Sequence, residues 1–324
     1  MRKLPWLYIV MLRYRIAAMV AMFMLIGAAR EGRVELGLRY LWAALALASS
    51  YVAATALNDL ADEKIDMINH PRDAGRPLVE GTANRRELLA LHVVASTLAI
   101  AAAVPLGWRA VILLAVALAI SQAYSARPIR LSYRVAGAPL ALGIAYVVIP
   151  YSLGIVAANG HLQHAEAALT CALFLLFAAR IVLKDFRDRQ GDERFGKPTL
   201  LLRFGKKATC ATSWAALGAG DVVLGLALDP RLAIATQPFI VAIAWMLWRL
   251  DRANDGQAEQ VAIGLGARMG NGLLLCILAW SVVRGDGAST AEALAVTTTL
   301  EVIFLLSFGA LAMRPHEAVI GYKG

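Results

Sequence analysis

Cysteine and histidine are scarce in this sequence, which has three cysteines and five histidines among 324 residues. The cysteines, at positions 171, 210 and 276, form no C-x-x-C pair and lie in or beside apolar runs. This pattern argues against a disulfide framework and a zinc site, and we interpret the cysteines as small core residues. The sequence also lacks a Gly/Ser-rich linker and a low-complexity tail. We therefore predict one integral-membrane domain over residues 1–324.

Charged residues are also sparse, at 17% of the chain, whereas hydrophobic residues make up 59% and the mean hydropathy is +0.61. This balance excludes an ordinary soluble domain. The apolar runs are long enough to cross a hydrocarbon core about 30 Å thick, which takes roughly 20 helical residues. They show little β alternation, and an open sheet cannot satisfy its backbone in lipid. We therefore predict an all-α polytopic membrane bundle of nine or ten transmembrane helices.

Ten candidate spans follow from these runs, and the ninth is unusual because it contains Arg268 and Asn271. We predict that this ninth segment is a broken or partly interfacial helix. The stretch before the first span, MRKLPWLYIVMLRYR, has a short apolar centre and no A-x-A-like cleavage site, which predicts an interfacial lead-in rather than a signal peptide. The spans are residues 15–29, 37–57, 88–106, 109–125, 136–157, 164–183, 208–228, 231–248, 261–283 and 291–313.

The net charge of +9 is distributed unevenly along the chain. Basic residues concentrate at the N-terminus, in segments 64–86, 127–134 and 184–207, at 249–252 and in the C-terminal tail, whereas the alternate connections hold few. This pattern follows the positive-inside rule of membrane proteins and does not indicate a nucleic-acid partner. We predict that the protein lies in the lipid bilayer of the cell membrane, with both termini and both of its acidic segments on the cytoplasmic side.

Those two acidic segments interrupt the apolar pattern with closely spaced carboxylates. They are NDLADEKIDMINH, residues 58–70, and KDFRDRQGDERFGKPTL, residues 184–200. Each has three aspartates at the spacing i, i+3, i+7, which on a helix of 3.6 residues per turn places three carboxylates along one face. The aspartates are Asp59, Asp62 and Asp66 in the first segment and Asp185, Asp188 and Asp192 in the second.

We call each row of three aspartates on one helix face an acidic stripe. Like charges on adjacent helical turns repel, and carboxylates near a bilayer are costly. A cation must therefore balance the negative charge of each stripe. Mg²⁺ binds oxygen ligands, typically carboxylates, waters and substrate phosphates. Two facing stripes therefore predict Mg²⁺ ions that bridge to a diphosphate. The alternative is that the stripes are solvated helix ends whose charges pair with Lys64 and nearby arginines. The identical spacing of the two stripes favours the metal site.

With these motifs the sequence resembles the UbiA superfamily of intramembrane prenyltransferases over roughly residues 13–283. The family's first motif, N-D-x-x-D-x-x-x-D, is matched in full, and its second, D-x-x-D-x-x-x-D, is followed here by G-x-x-T-L. A third element, Y-S-x-x-P-x-R-L-K in several branches, stands here as YSARPIRLS, with Ser132 in place of the lysine. The matching residues are Asn58, Asp59, Asp62, Asp66, Asn69, Pro71, Arg76, Pro77, Gly81, Tyr124, Ser125, Pro128, Arg130, Leu131, Asp185, Asp188, Asp192, Gly196, Thr199 and Leu200.

The resemblance implies a nine-helix fold and Mg²⁺-dependent transfer of an isoprenyl group from an allylic diphosphate to an aromatic or other lipophilic acceptor. Two Mg²⁺ ions are implied, one on each aspartate set, with Asn58 orienting the first. For the diphosphate we predict Arg72, Arg130, Lys184 and Arg180, although Arg180 would otherwise reach to lipid head groups. For the prenyl cation we predict the rings of Tyr124, Tyr146 or Tyr151, with ordinary packing as the alternative. His70 follows the first motif directly and is either a general base or, as we favour, a supporting neighbour of the motif. Arg76 is either a further diphosphate contact or a cap of the local loop.

Two other functions compete with prenyl transfer. A membrane terpene cyclase of the same superfamily would fold the prenyl cation onto itself without an acceptor. The first span, RYRIAAMVAMFMLIGAA, offers few polar side chains, which favours a cyclase or a very lipophilic acceptor. A transporter would use the acidic stripes as a cation pathway. Transporters, however, place such carboxylates in broken helices at the bilayer midplane, whereas these stripes lie at the ends of spans.

Overall fold

The computed structural model describes residues 3–32, 37–71, 75–161 and 163–314. Within these ranges the chain is built from helices and contains no strand. Short 3₁₀ turns at 104–106, 131–133 and 182–184 and a π segment at 144–148 join some of the helices. The helices are α1 (Leu4–Met11), α2 (Tyr14–Arg30), α3 (Leu38–Asn69), α4 (Arg85–Ala103), α5 (Trp108–Ser125), α6 (Gly137–Gly143), α7 (Ile149–Ala157), α8 (His164–Ile181), α9 (Asp185–Arg194), α10 (Leu200–Ala227), α11 (Pro230–Arg252), α12 (Gly256–Gly285) and α13 (Thr290–Met313).

Nine helical units in this described part of the chain are long and apolar enough to cross a membrane. Two of them combine neighbouring helices, because α6 continues through the π segment into α7 and α8 continues into α9. The pair α1 and α2 would make a tenth unit, but it is bent by 69°. The prediction of an all-α membrane bundle with nine or ten spans is therefore confirmed.

The ninth predicted span does not break. Helix α12 is continuous for 30 residues, from Gly256 to Gly285, and its apolar stretch is the most buried of the nine units. The prediction of a broken or partly interfacial helix was wrong, and one of the two polar residues that suggested it has a partner inside the bundle. Asn271 accepts a hydrogen bond from Arg180 of α8 at 3.3 Å.

Both acidic segments extend helices and do not form loops. Helix α3 continues for 32 residues through the whole first aspartate set, well past the predicted end of its span at residue 57. The second set forms α9, which follows α8 after one 3₁₀ turn. Helix α10 also begins earlier than predicted, at Leu200, and is interrupted at Gly205, where φ is +80°. Glycine permits this conformation, which other residues rarely adopt.

Glycines allow α2 and α7 to pack with their backbones in close contact. A Cβ atom on Gly154 of α7 would lie 1.8 Å from the carbonyl oxygen of Met24 in α2. On the α2 side, a Cβ atom on Gly27 would lie 2.1 Å from the carbonyl oxygen of Tyr151. Small residues at such crossings are typical of membrane helices, where packing and not water exclusion drives association. This contact fixes α2 against the centre of the bundle.

Candidate active site

The first aspartate set lies inside the protein at the C-terminal end of α3. Asp59, Asp62 and Asp66 have exposed fractions of only 2%, 5% and 6%. Their spacing places all three on the helix face that the rest of the bundle covers. This burial contradicts the alternative of solvated helix ends.

Arginines from two other parts of the chain neutralise this set. Arg13, between α1 and α2, donates from Nη2 to both carboxylate oxygens of Asp59 at 2.7 Å. Arg76, after α3, is buried and donates to Asp66 and, at 3.4 Å, to Asp59. Arg76 therefore binds the motif and is more than a loop cap. The bend between α1 and α2, where Arg13 has φ 43° and ψ 65°, brings the guanidinium of Arg13 to the aspartates.

The second aspartate set packs against the first. His70 Nε2, just after α3, lies 3.1 Å from Asp188 Oδ1 of α9. The backbone N–H of Gly191 donates to Asn69 Oδ1 at 2.6 Å. Gly191 has to be small, because a Cβ atom there would lie 2.7 Å from the carbonyl oxygen of Ile65. Burial lowers the pKa of His70 below its ordinary value, against the opposing effect of Asp188.

Lys197 connects the two sets directly, and the sequence interpretation missed it. Its Nζ lies 3.3 Å from Asp62 Oδ2 and 3.5 Å from Asp192 Oδ1. Burial and the nearby Lys184 act to lower the pKa of Lys197, but Asp62 and Asp192 outweigh them and raise it above its ordinary value. The only signal in the sequence was its position within G-K-P-T-L, directly after the second motif.

Arg130 and Asn58 also bond the first set. Arg130 Nη2 donates to Asp62 Oδ1 at 3.1 Å, and its guanidinium carbon lies 3.8 Å from the ring centroid of Tyr133. Asn58 Nδ2 donates to Asp62 Oδ2 at 3.4 Å. Arg130 thus lies at the predicted site, where it binds a carboxylate. Arg72 lies outside the described residues.

A cavity of about 690 Å³ opens beside the aspartates. Its apolar walls come from α2, α3, α5, α6, α8, α11 and α12 and the π segment. Tyr124, Arg180 and Lys184, which the sequence proposes as substrate-binding residues, also line it. Tyr51, Tyr146 and Phe177 form an aromatic row along it, with centroid distances of 5.8 Å and 6.0 Å between neighbours.

Among the three tyrosines proposed from the sequence, Tyr151 does not belong to this row. Its hydroxyl donates to Glu166 in the first turn of α8. The second aspartate set lies beyond the opposite end of that helix. The structure therefore contradicts a cation-stabilising role for Tyr151. Tyr51 lies in the cavity lining beside Tyr146, and no local sequence pattern distinguishes it from an ordinary buried tyrosine.

The cavity is strongly basic. Its described lining contains seven cationic side chains and one carboxylate, that of Asp188. Four of these cations, Arg13, Arg76, Lys184 and Arg187, each lie within ion-pair distance of an aspartate from one of the two sets. The cationic residues are Arg13, Arg15, Arg76, Arg180, Lys184, Arg187 and Arg268.

The donor set fits a hard divalent cation. It consists of six carboxylates on two packed helices, and both carboxylate oxygens of Asp192 are buried without a hydrogen-bond donor. Lys197 lies 3.5 Å from one of these oxygens, but a buried carboxylate that accepts no hydrogen bond is still costly, and a metal ion would relieve that cost. The described residues contain no ready-made group of three or more metal ligands. Arg13, Arg76, Arg130 and Lys197 bond oxygens of the first set, so a metal ion there would have to displace some of these contacts.

These features define the class of protein: an integral membrane protein with two buried aspartate sets beside a cavity that has apolar walls and several cationic side chains. A sequence model of the UbiA prenyltransferase family matches residues 17–272, and the chain belongs to that family. The membership predicted from the paired aspartate motifs is therefore confirmed.

Solved structures share the fold. A digeranylgeranylglyceryl phosphate synthase studied in membranes superposes with a TM-score of 0.67 and 18% identity, over 87% of this chain and 99% of its own. A UbiA homologue from Archaeoglobus fulgidus bound to GPP and Mg²⁺ superposes with a TM-score of 0.59 and 16% identity, over 94% of this chain and 99% of its own.

Curated relatives align over a shorter range. A digeranylgeranylglyceryl phosphate synthase from Korarchaeum cryptofilum is 30% identical over 158 residues, which is 49% of this chain and 53% of the relative. The corresponding protein from Pyrococcus horikoshii is 30% identical over 155 residues, 48% of this chain and 53% of the relative. The chain thus aligns with about half the length of these relatives.

Proposed function

We propose that the protein is an Mg²⁺-dependent intramembrane prenyltransferase that ionises an allylic isoprenyl diphosphate and transfers the prenyl group to an aromatic or other lipophilic acceptor. The observation that carries this proposal is the junction of the two aspartate sets through Lys197 beside a basic cavity with apolar walls. A solved homologue of the same fold holds GPP and Mg²⁺, which supports it.

The reaction breaks the C1–O bond of the substrate, and the bonding electron pair leaves with diphosphate. Two bound Mg²⁺ ions, one held by Asp59, Asp62 and Asp66 and one by Asp185, Asp188 and Asp192, would supply Lewis-acid stabilisation of that leaving group. Lys184 and Arg187, which line the cavity beside Asp188, add cationic contacts to its oxygens. Asn58 orients Asp62, and Arg72 and Arg130 belong to the same proposed diphosphate site.

The cavity protects the allylic cation that remains. Apolar walls exclude the water that would quench it, and the aromatic row offers π faces to the positive charge. The acceptor nucleophile forms the new bond to C1, and its proton leaves to an oxygen of the released diphosphate. Tyr51, Tyr124 and Tyr146 are the aromatic residues we assign to this step.

Diphosphate release measures this function directly. The purified protein in detergent is incubated with Mg²⁺ and a C10, C15 or C20 prenyl diphosphate, with and without lipophilic acceptors, and the organic extract is analysed by mass. We expect little release until an acceptor is added. EDTA should abolish release and excess Mg²⁺ should restore it, whereas full activity in EDTA would contradict metal dependence.

The same assay separates the competing functions. Release without acceptor, accompanied by a cyclic hydrocarbon or alcohol, would assign a terpene cyclase. No release with any of the three chain lengths and any acceptor would overturn the prenyltransferase proposal and reopen a cation-transport role.

A further inference from the structure

One buried carboxylate at the same end of the bundle belongs to neither aspartate set. Glu259, in the first turn of α12, is only 7% exposed and is absent from the described lining of the cavity. A glutamate in a first turn ordinarily stabilises the terminus of its own helix. Glu292 of α13 does this, because it is exposed and accepts hydrogen bonds from the backbone N–H and the hydroxyl of Ser289. The burial of Glu259 therefore needs a different explanation.

Glu259 connects α12 to two other helices. Lys206 Nζ of α10 donates to Glu259 Oε1 at 2.9 Å and also to the carbonyl oxygen of Ala253, at the end of α11. From α9, Arg189 Nη2 donates to Glu259 Oε2 at 3.5 Å, and the guanidinium carbon of Arg189 lies 5.5 Å from the ring centroid of Phe186. One carboxylate oxygen thus holds α10 and the other holds α9.

Those two helices flank the segment that joins the aspartate sets. Helix α9 carries the second set, and the segment between α9 and α10 carries Lys197, which lies within ion-pair distance of both sets. On the α3 side, α9 is held by the hydrogen bond from the Gly191 N–H to Asn69 Oδ1. On the α12 side, Glu259 holds both α9 and α10. The second aspartate set therefore lies on a helix that is fixed from two sides.

We infer that Glu259 is a positioning residue, which holds α9 and α10 so that the second aspartate set keeps the geometry that binds Mg²⁺. This inference rests on the proposed prenyltransferase function and adds a residue that determines its Mg²⁺ requirement. Mg²⁺ demands nearly ideal octahedral geometry, so small displacements of its ligands weaken binding. Residues that orient metal ligands without contacting the ion typically contribute about 10- to 100-fold to metal affinity.

Mn²⁺ binding tests this inference without turnover. The purified full-length protein in detergent is mixed with geranyl S-thiolodiphosphate, a substrate analogue that resists ionisation, and Mn²⁺ is added as a paramagnetic substitute for Mg²⁺. The loss of the EPR signal of free Mn²⁺ then gives the affinity. We expect Glu259→Gln to weaken Mn²⁺ binding about ten-fold. The Mg²⁺ concentration for half-maximal diphosphate release should rise by a similar factor, whereas the rate at saturating Mg²⁺ should stay within about three-fold of the wild-type rate.

Two further variants separate positioning from simple charge effects. Glu193→Gln removes the same charge from an exposed position on α9 and is the matched control, which should leave the Mn²⁺ affinity near that of the wild type. Arg189→Gln removes only the contact of α9 with Glu259, from a side chain that is 41% exposed, so it decides the question even if Glu259→Gln does not fold. By charge alone, loss of a cation beside the acidic helix would strengthen Mn²⁺ binding. Positioning predicts the opposite, a weaker binding of Mn²⁺ by Arg189→Gln.

The outcomes distinguish this inference from the proposed function. Unchanged or tighter Mn²⁺ binding by Arg189→Gln, or an equal loss of affinity in Glu193→Gln and Glu259→Gln, would overturn the positioning role. A wild-type protein that binds no Mn²⁺ with the analogue and releases no diphosphate would instead contradict the prenyltransferase proposal itself.

Discussion

At the scale of single residues, the site is an alternation of buried carboxylates and cations. Asp62 illustrates this, because Arg130 and Lys197 bond its two oxygens from different parts of the chain. Buried charges are tolerated only when they are paired, so each carboxylate requires a cation whether or not a metal is bound. The protein's own cations therefore compete with divalent ions for the same oxygens.

The aspartates themselves give the most direct prediction. Asp59→Asn or Asp185→Asn should lower the rate of diphosphate release by about 10²-fold or more, because each removes a charged oxygen from a proposed metal site. Size-exclusion profiles in detergent should show that both variants remain folded. Asp251→Asn, at an exposed position near the end of α11, is the control and should retain wild-type release. Wild-type activity in both site variants would contradict the assignment of the two metal sites.

Lys197 gives a prediction that activity alone cannot test. Lys197→Gln leaves Asp62 and Asp192 without their shared cation and should destabilise the protein by about 3 kcal/mol, as breaking a buried pair does. Millimolar Mg²⁺ should restore most of the loss in melting temperature, since a divalent ion can take the place of the ammonium group. Lys207→Gln, at an exposed position on α10, should change neither quantity. A variant as stable as the wild type would show that Lys197 does not hold the two sets together.

At the scale of helices, the site depends on one bend and one continuous helix. The 69° bend between α1 and α2 turns Arg13 back to Asp59, and the length of α12 carries Arg268 and Asn271 along the cavity. The close contact between Gly154 of α7 and Met24 of α2 holds α2, and with it the bend, in position.

Gly154→Ala should therefore disrupt more than its own helix. The added Cβ atom would overlap the carbonyl oxygen of Met24, and relieving that contact has to move α2 away from α7. We expect a loss of about 1–3 kcal/mol, seen as a lower melting temperature in detergent. Gly225→Ala of α10 is the matched control, because open space surrounds its Cβ position and alanine favours a helix. Equal melting temperatures for the two variants would contradict the close-packing argument.

At the scale of the whole molecule, the two aspartate sets and the cations that bond them lie at one end of the bundle. Lys197 bonds the first aspartate set at this end. The first residues of α12 lie there too, because Lys206 Nζ of α10 donates to Glu259 Oε1 of α12 at 2.9 Å. The basic loops predict that this end faces the cytoplasm.

Cysteine labelling tests that orientation. In a Cys171→Ser background, Asp255→Cys before α12 should react with an impermeant maleimide only from the cytoplasmic side, and Asp286→Cys after it only from the opposite side. Both positions are polar ends of one continuous helix, so each reports one face of the membrane. The reverse labelling pattern would place the aspartates outside the cytoplasm.

The sequence alone determined the membrane class, the helical spans and both aspartate triplets, because hydropathy and the i, i+3, i+7 spacing are local properties of a helix. Only the tertiary structure decided which cations pair with those triplets. Arg13, Arg76 and Lys197 come from distant parts of the chain, and their contacts depend on a helix bend and on packing between α3 and α9. Packing between distant helices also decided that Tyr51 lies in the cavity and Tyr151 outside it. It likewise decided that α12 is continuous although it contains Arg268 and Asn271.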